Sequence, residues 1–145
     1  MKLLAINGPN LNLLGSREPD IYGAVTLNGC MEALRKRYPE VSVDCFQSNI
    51  EGELVDALQR ADGIYDGVLL NPGGYTHTSV ALADAVAAVA VPVVEVHLSS
   101  ILGRESFRRV SLVAPYCLGT VMGFGPDSYA LGVESFKLYF DGKEN

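Results

Sequence analysis

The chain has 145 residues, of which 48% are hydrophobic and 19% charged, and its formal net charge is −6 at pH 7. This composition is typical of a folded globular protein and excludes an intrinsically disordered chain. The length predicts one domain over residues 1–145. The negative charge argues against nucleic acid as a partner, because a face that binds phosphates has to be basic.

Cysteine content and the apolar runs restrict the class of protein further. The three cysteines form neither an even set nor a C-x-x-C pair, which argues against a disulfide framework and against a thiolate metal site. The apolar run after Met1 is too short for a secretion signal, and the run over 85–94, which contains Pro92, is too short to span a bilayer. We therefore expect a cytoplasmic protein without a membrane partner and without a metal.

Short aliphatic runs alternate with longer helical patterns along the chain. Strands are predicted over residues 3–6, 41–46, 67–70, 93–96 and 117–122. Helices are predicted over residues 26–38, 51–61, 78–89, 105–110 and from 127 to about 140, with Thr26 capping the first and Thr76 or Thr78 capping the third. This alternation predicts a flavodoxin-like α/β fold, a three-layer sandwich with a five-stranded parallel sheet.

Polar residues stand at the carboxyl ends of the predicted strands. They include Asn7, Ser48, Asn71 and His97. In doubly wound sheets ligands bind beyond the carboxyl ends of the strands. The sequence therefore predicts a site for a polar, polyhydroxylated small molecule at this edge.

The connection over residues 7–23 is much longer than the usual βα loop of about 2–6 residues, which is typical of an active-site lid. It contains one guanidinium, Arg17, and one phenol, Tyr22. A phenol has a pKa near ~10, and a neighbouring guanidinium favours its ionised form. The pair is a candidate for a general base. The alternative is a surface tyrosine beside a solvated arginine.

Two further segments carry groups suited to acid–base chemistry. Glu95 and His97 lie two residues apart in a predicted strand and therefore point to the same face. A carboxylate there can hold the imidazole tautomer and stabilise its protonated form, as a general acid requires. The alternative is a structural pair in the core whose hydrogen bonds are satisfied by each other.

His77 follows Gly73 and Gly74, which allow close approach of a ligand, although an ordinary turn explains these glycines equally well.

Several familiar catalytic motifs are absent from the sequence. There is no phosphate-binding P-loop, no dinucleotide fingerprint after the first strand and no G-x-S-x-G elbow. Arg108 has the geometry to donate two hydrogen bonds to a carboxylate or to hydroxyls, or it is a surface residue. Acid–base chemistry without a cofactor is what remains.

Taken together, these segments resemble the type II 3-dehydroquinate dehydratase family. The motifs that carry the resemblance are N-G-P-N-L-N-L-L-G at 7–15, N-P-G-G-Y-T-H-T-S at 71–79 and E-V-H-L-S at 95–99. They occur in collinear order over nearly the whole chain. The resemblance implies a flavodoxin-like fold, no cofactor, and a homo-oligomer, a dodecamer built as a tetramer of trimers. The implied reaction is anti elimination of water from 3-dehydroquinate, through an enolate, to 3-dehydroshikimate, in the shikimate pathway or in quinate catabolism.

The resemblance also implies a role for each site residue. Tyr22 is the base, which Arg17 keeps ionisable, and Asn10 holds a water against the enolate oxygen. His97 is the general acid for the departing hydroxyl, and Glu95 orients it. The residues implied to bind substrate are Asn71, His77, Asp84, Leu98, Ser99 and Arg108. Asp84, one of these residues, is expected to reach into the site of a neighbouring subunit.

The chain departs from the family pattern beside these residues. It has S-I-L-G-R at 100–104, where S-N-I/V-H-A-R is usual, and R-V-S at 109–111, where H-H-S or H-S is usual. These departures flank the site and remove none of its catalytic groups.

A non-catalytic module that binds a polyol or a carboxylate on the same fold is the alternative function. Loss of the base or the acid would favour it, but Tyr22, Arg17 and His97 are all present.

Overall fold

The computed structural model describes residues 1–16 and 25–143, and its centre is a parallel five-stranded sheet. The strands are β1 (Lys2–Asn7), β2 (Ser42–Gln47), β3 (Gly67–Asn71), β4 (Val93–His97) and β5 (Gly119–Met122). Their order in the sheet is β2-β1-β3-β4-β5, and every neighbouring pair is parallel. This is the doubly wound order of flavodoxin-like folds, so the predicted fold class is confirmed.

Four α-helices among the described residues cover the two faces of the sheet. They are α1 (Leu27–Arg37), α2 (Glu51–Ala61), α3 (Val80–Ala88) and α4 (Asp127–Asp141). Alternate residues of a strand point to opposite faces. Leu3 and Ala5 accordingly belong to the core that contains α1 and α4, whereas Leu4 and Ile6 belong to the core that contains α2 and α3. Within the described parts of the chain, no helix has the length and apolar character needed to cross a membrane.

One of the two predicted helix caps is confirmed and the other is wrong. The Thr26 hydroxyl accepts a hydrogen bond from the backbone N–H three residues later, at 3.1 Å, as predicted. The cap predicted for α3 at Thr76 or Thr78 is wrong, because the Ser79 hydroxyl fills that position at 2.9 Å. The Thr76 hydroxyl instead donates to the carboxylate of Glu95.

The short helix predicted over residues 105–110 is also wrong in extent. Of the three 3-10 turns that lie between β4 and β5, only Ser106–Arg108 falls in that range. Beyond it the Leu112 N–H donates to the carbonyl oxygen of Thr76 at 2.8 Å, and the Ser111 hydroxyl donates to Glu95 at 2.8 Å. These bonds to the rest of the fold draw the chain away from a helical path.

The loops after β1 and β3 meet at the carboxyl edge of the sheet. The Gly8 N–H donates to the carbonyl oxygen of Asn71 at 2.8 Å. A Cβ on Gly8 would lie 2.3 Å from the carbonyl oxygen of Pro72, which is too close for any side chain. The spacing of these two loops therefore depends on a glycine at position 8.

We predict that Gly8→Ala lowers the free energy of unfolding by about 1–3 kcal/mol, because the Pro72 backbone must move to admit the methyl group. Urea denaturation measures this change. Gly52→Ala is the matched control, since a Cβ at this helical position meets no atom within 4 Å and is expected to leave stability unchanged or higher. Equal stability of Gly8→Ala and the parent chain would contradict the prediction.

Candidate active site

A cleft of about 230 Å³ opens at the carboxyl edge of the sheet. This volume is smaller than the roughly 300–1,000 Å³ of pockets that hold drug-sized ligands, so it suits a small metabolite. The predicted site residues that line the cleft are Asn10, Asn71, His77, His97, Leu98, Ser99 and Arg108. Side chains from three separate loops thus meet in one place, as their positions after the strands predicted.

Among the predicted site residues that the structure describes, Glu95 and Asp84 do not line the cleft. Glu95 lies behind His97 and is fully buried. Asp84 is exposed on α3. Arg17 and Tyr22 lie outside the described residues. Arg104, which the sequence analysis did not single out as a site residue, lines the cleft beside the predicted residues.

Glu95 and His97 form a buried pair at the end of β4. The Nε2 atom of His97 lies 2.7 Å from Oε1 of Glu95, and the exposed fractions of the two residues are 7% and 0%. The expectation that both point to the same face is confirmed. Because an ionised carboxylate only accepts hydrogen bonds, Nε2 carries the proton of this bond. Nδ1 is then the ring nitrogen that remains for the cleft.

Three hydroxyl groups surround the same carboxylate. Thr76 and Ser111 donate to Oε1, and Thr120 donates to Oε2 at 3.2 Å. Burial by itself raises the pKa of Glu95, but the hydrogen bonds from His97, Thr76 and Ser111 and the charge of His97 outweigh it, so the pKa lies below its ordinary value. Glu95 is therefore an anion under the cleft at neutral pH.

A second buried network supports the floor of the cleft. The phenol of Tyr129 donates to Oδ1 of Asn7 and accepts from Nδ2 of Asn71 at 3.2 Å. Oδ1 of Asn71 accepts from the Gly73 N–H at 3.2 Å. Burial raises the pKa of Tyr129, which stays a neutral phenol. This tyrosine is a structural group rather than a base.

The outer wall of the cleft carries donors and an acceptor. Nδ1 of His77 lies 2.7 Å from the carbonyl oxygen of Val110 and must donate to it, which leaves Nε2 as an acceptor when the ring is neutral. Nε of Arg108 lies 3.0 Å from a carboxylate oxygen of Glu105. Arg104 and Arg108 line the cleft, whereas no Asp or Glu does so among the described residues. The wall is therefore suited to an anionic ligand.

Asn10 reaches the cleft through an unusual backbone conformation. Its φ of 70° lies in the left-handed region, which asparagine tolerates better than most side chains. Its N–H donates to Oδ1 of Asn49 at 2.9 Å and ties this turn to the loop after β2. The side chain is exposed at the cleft, where it can bind a water or a polar ligand.

Sequence reasoning missed the partners of Glu95 and the tyrosine under the floor. Ser111 and Thr120 are 16 and 25 residues away from Glu95 along the chain, and no local pattern links them to it. The one available signal was a polar residue in a strand, at Thr120.

No three His, Cys, Asp or Glu side chains are grouped as metal ligands within residues 1–16 and 25–143.

Comparison with known proteins identifies the family. The family model described as dehydroquinase class II matches residues 1–137. The 3-dehydroquinate dehydratase of Geotalea daltonii is 53% identical over 137 residues, which are 93% of this chain and 95% of that protein. The type II dehydroquinase structure from Butyrivibrio crossotus has a TM-score of 0.90 and 40% identity, and covers 94% of this chain and 97% of its own.

A second solved structure agrees with the first. The type II dehydroquinase from Propionibacterium acnes has a TM-score of 0.87 and 35% identity, and the match covers 92% of this chain and 93% of that one. Both structures and the sequence relative extend over nearly the full length of the chain. The protein therefore belongs to the class II dehydroquinase family of enzymes.

Proposed function

We propose that this chain is a 3-dehydroquinate dehydratase that acts as one catalytic domain. It removes water from 3-dehydroquinate by anti elimination through an enolate and releases 3-dehydroshikimate. The observation that carries the proposal is the buried Glu95–His97 pair beneath a cleft lined by two arginines and by none of the described carboxylates. The substrate is a hydroxylated ring that bears a carboxylate, and the positive charge of this wall attracts such an anion into the cleft. The name of the relative from Geotalea daltonii supports the same reaction.

His97 is the proposed general acid. Hydroxide is a poor leaving group, so the C–O bond breaks only as the oxygen receives a proton. The imidazolium holds one proton on Nε2, bonded to Glu95, and gives the other from Nδ1 to the departing oxygen. The product is water and a neutral imidazole that keeps its bond to the carboxylate. Because Glu95 is anionic, it stabilises the protonated ring before the transfer.

Tyr22 is the proposed base, which takes the proton from the carbon next to the ketone. None of the described tyrosines lines the cleft, and Tyr129 beneath it is held neutral by burial. Tyr22 follows the lining residue Leu14 by eight positions, so the chain is long enough to bring it to the cleft. In this proposal Arg17 stabilises the phenolate by its fixed positive charge.

The electron pair released by the base moves onto the ketone oxygen and forms the enolate. We assign Asn10 to this oxygen, through a water that it holds at the cleft. A donor fixed in place before the reaction stabilises developing charge without reorganising. The left-handed turn that presents Asn10 is such a fixed support, since Asn49 holds its backbone N–H.

The other lining residues are assigned to the substrate's polar groups. Ser99, with the backbone N–H groups of Leu98 and Ser99, takes the carboxylate. His77 accepts a hydrogen bond from a ring hydroxyl through Nε2, because Val110 occupies Nδ1, and Arg108 donates to a second hydroxyl. Asn71 contributes mainly by holding the floor through its bonds to Tyr129 and Gly73.

Asp84 is assigned to the site of a neighbouring subunit. It is exposed on α3 and does not line the cleft of its own chain. A role in substrate binding therefore requires a second copy, as in the proposed trimers of a dodecamer.

The direct test is an ultraviolet assay with purified protein and 3-dehydroquinate, without added metal or nucleotide. Elimination creates a carbon–carbon double bond conjugated to the ketone, so absorbance is expected to rise with time. A protein that binds the substrate without this rise would be a binding module, and the proposal would be wrong.

We predict that Tyr22→Phe abolishes turnover while substrate binding survives, because the base acts mainly in the transition state. Steady-state kinetics and calorimetric titration separate the two effects. Tyr116→Phe is the control, since Tyr116 is exposed and does not line the cleft, and its activity is expected to equal that of the parent chain. Activity of Tyr22→Phe near that of the parent would remove Tyr22 from the role.

A complementation experiment tests the shared site. Asp84→Ala and His97→Ala chains are each expected to have low activity, and co-expression is expected to restore part of it. In a mixed oligomer, some sites combine His97 from one chain with Asp84 from another. The assay compares purified mixed oligomers with both parents. Mixed oligomers no more active than their parents would argue against sharing.

A further inference from the structure

The hydroxyls of Thr76, Ser111 and Thr120 form a group around Glu95 that we call the hydroxyl cage. We propose that the hydroxyl cage is a positioning device for the general acid: it holds the Glu95 carboxylate in one orientation and thereby sets how firmly His97 keeps its proton. This inference rests on the proposed function in that His97 is taken as the acid.

The cage draws on three separate segments of the fold. Thr76 comes from the turn after β3, Ser111 from the loop between β4 and β5, and Thr120 from β5. The parallel register pairs Thr120 with Glu95 directly, so the two side chains share a face of the sheet. Three segments that meet on one carboxylate fix its position from three directions.

The cage also fixes the rotation of the carboxylate. Oε1 accepts from Thr76, from Ser111 at 2.8 Å and from His97 at 2.7 Å, whereas Oε2 accepts from Thr120 at 3.2 Å. Rotation of the carboxylate would break bonds at both oxygens. The imidazole therefore meets Oε1 in a single geometry, with Nδ1 left for the cleft.

The cage competes with the imidazolium for the negative charge of Glu95. Each hydroxyl places the positive end of its dipole on the carboxylate, which weakens the pull of the anion on the His97 proton. Loss of one hydroxyl leaves more negative charge to His97 and is expected to raise the pKa of the ring.

Other titratable groups near the pair do not reverse this sign. Cys117 faces Glu95, but burial and the carboxylate charge raise the pKa of its thiol to about 12, so the thiol is uncharged at neutral pH. His77, Arg104 and Arg108 line the cleft with His97, and all three side chains are kept in each of the cage variants.

Thr120 is a sharper probe than Ser111. The Ser111 hydroxyl also accepts from the backbone N–H groups of Val113 and Ala114, at 3.2 and 3.0 Å, so its removal also weakens a turn. Thr120 lies on the last strand of the sheet, and valine has nearly its shape without the hydroxyl. Serine at the same position keeps the hydroxyl and serves as the conservative control.

The experiment is a pH titration of the imidazole nitrogens by NMR, on the full chain. The chain has two histidines, so a spectrum of His77→Asn assigns the signals of His97. The variants are Thr120→Val, Thr120→Ser and Ser111→Ala, and urea denaturation verifies that each is folded. Dehydration of 3-dehydroquinate by the parent chain is measured separately, because the NMR titration does not depend on activity.

We expect Thr120→Val to raise the pKa of His97 by roughly half a pH unit or more, with Ser111→Ala moving it in the same direction. Thr120→Ser is expected to titrate as the parent does, and the alkaline limb of kcat is expected to follow the pKa. A residue that only supports the fold would lower stability without moving this titration.

If Thr120→Val and Ser111→Ala both titrate as the parent does, the cage has no influence on the acid and the inference is overturned. If the parent chain does not dehydrate 3-dehydroquinate, the proposed function fails, while the titration still decides what the cage does to His97. Should Thr120→Val fail to fold, Ser111→Ala gives the same decision.

Discussion

The carboxyl edge of this sheet is organised around one negative charge that has no contact with solvent. Glu95 has an exposed fraction of 0%, and an isolated carboxylate in such a place would take up a proton rather than remain charged. It stays ionised because four donors reach it from two strands and two loops. Those donors meet only if β4 and β5 are in register and the flanking loops close over them. The buried Glu95 therefore remains charged only when the sheet and the flanking loops are correctly folded.

The sign of the charge near the cleft is opposite to that of the whole chain. The net charge is −6, yet Arg104 and Arg108 line the cleft and none of the described carboxylates does. The carboxylate of Glu95, which contacts His97, is buried behind that imidazole. Glu105, which pairs with Arg108, does not line the cleft. An anion that enters thus meets guanidinium groups first, and the buried carboxylate is shielded by the imidazole. The charges that line the cleft, rather than the net charge of the chain, decide which ligands the cleft binds.

Local patterns in the sequence predicted much of this arrangement. The two-residue repeat of a strand was enough to place Glu95 and His97 on one face, and the ends of parallel strands were enough to bring Asn71 and His97 to one edge. Thr76 was misinterpreted as a helix cap because its position fits that preference equally well. The roles assigned to the site residues, including Arg17 and Tyr22, stay predictions.

What local patterns could not supply is contact between distant segments. The pairing of Thr120 with Glu95 depends on the register of β5 against β4, which is set by packing of the whole sheet. The position of Ser111 depends on where the chain leaves the turn at Ser106–Arg108, and the sequence there favoured a longer helix. The path of this loop also brings Arg104 to the cleft, which no local pattern in the sequence indicated.

Glu95 and His97 belong to one strand in the middle of the layered core, whereas Arg104 and Arg108 lie on the loop that follows it. A change at Arg104 or Arg108 alters the charge of the cleft wall and leaves the spacing of the carboxylate and imidazole untouched, since the strand repeat fixes it. The same loop also supplies Ser111 to Glu95, so a change at that position reaches the buried pair as well. Divergence at 100–104, which contains none of the partners of Glu95 described above, is accordingly free to modify ligand preference while the buried pair persists.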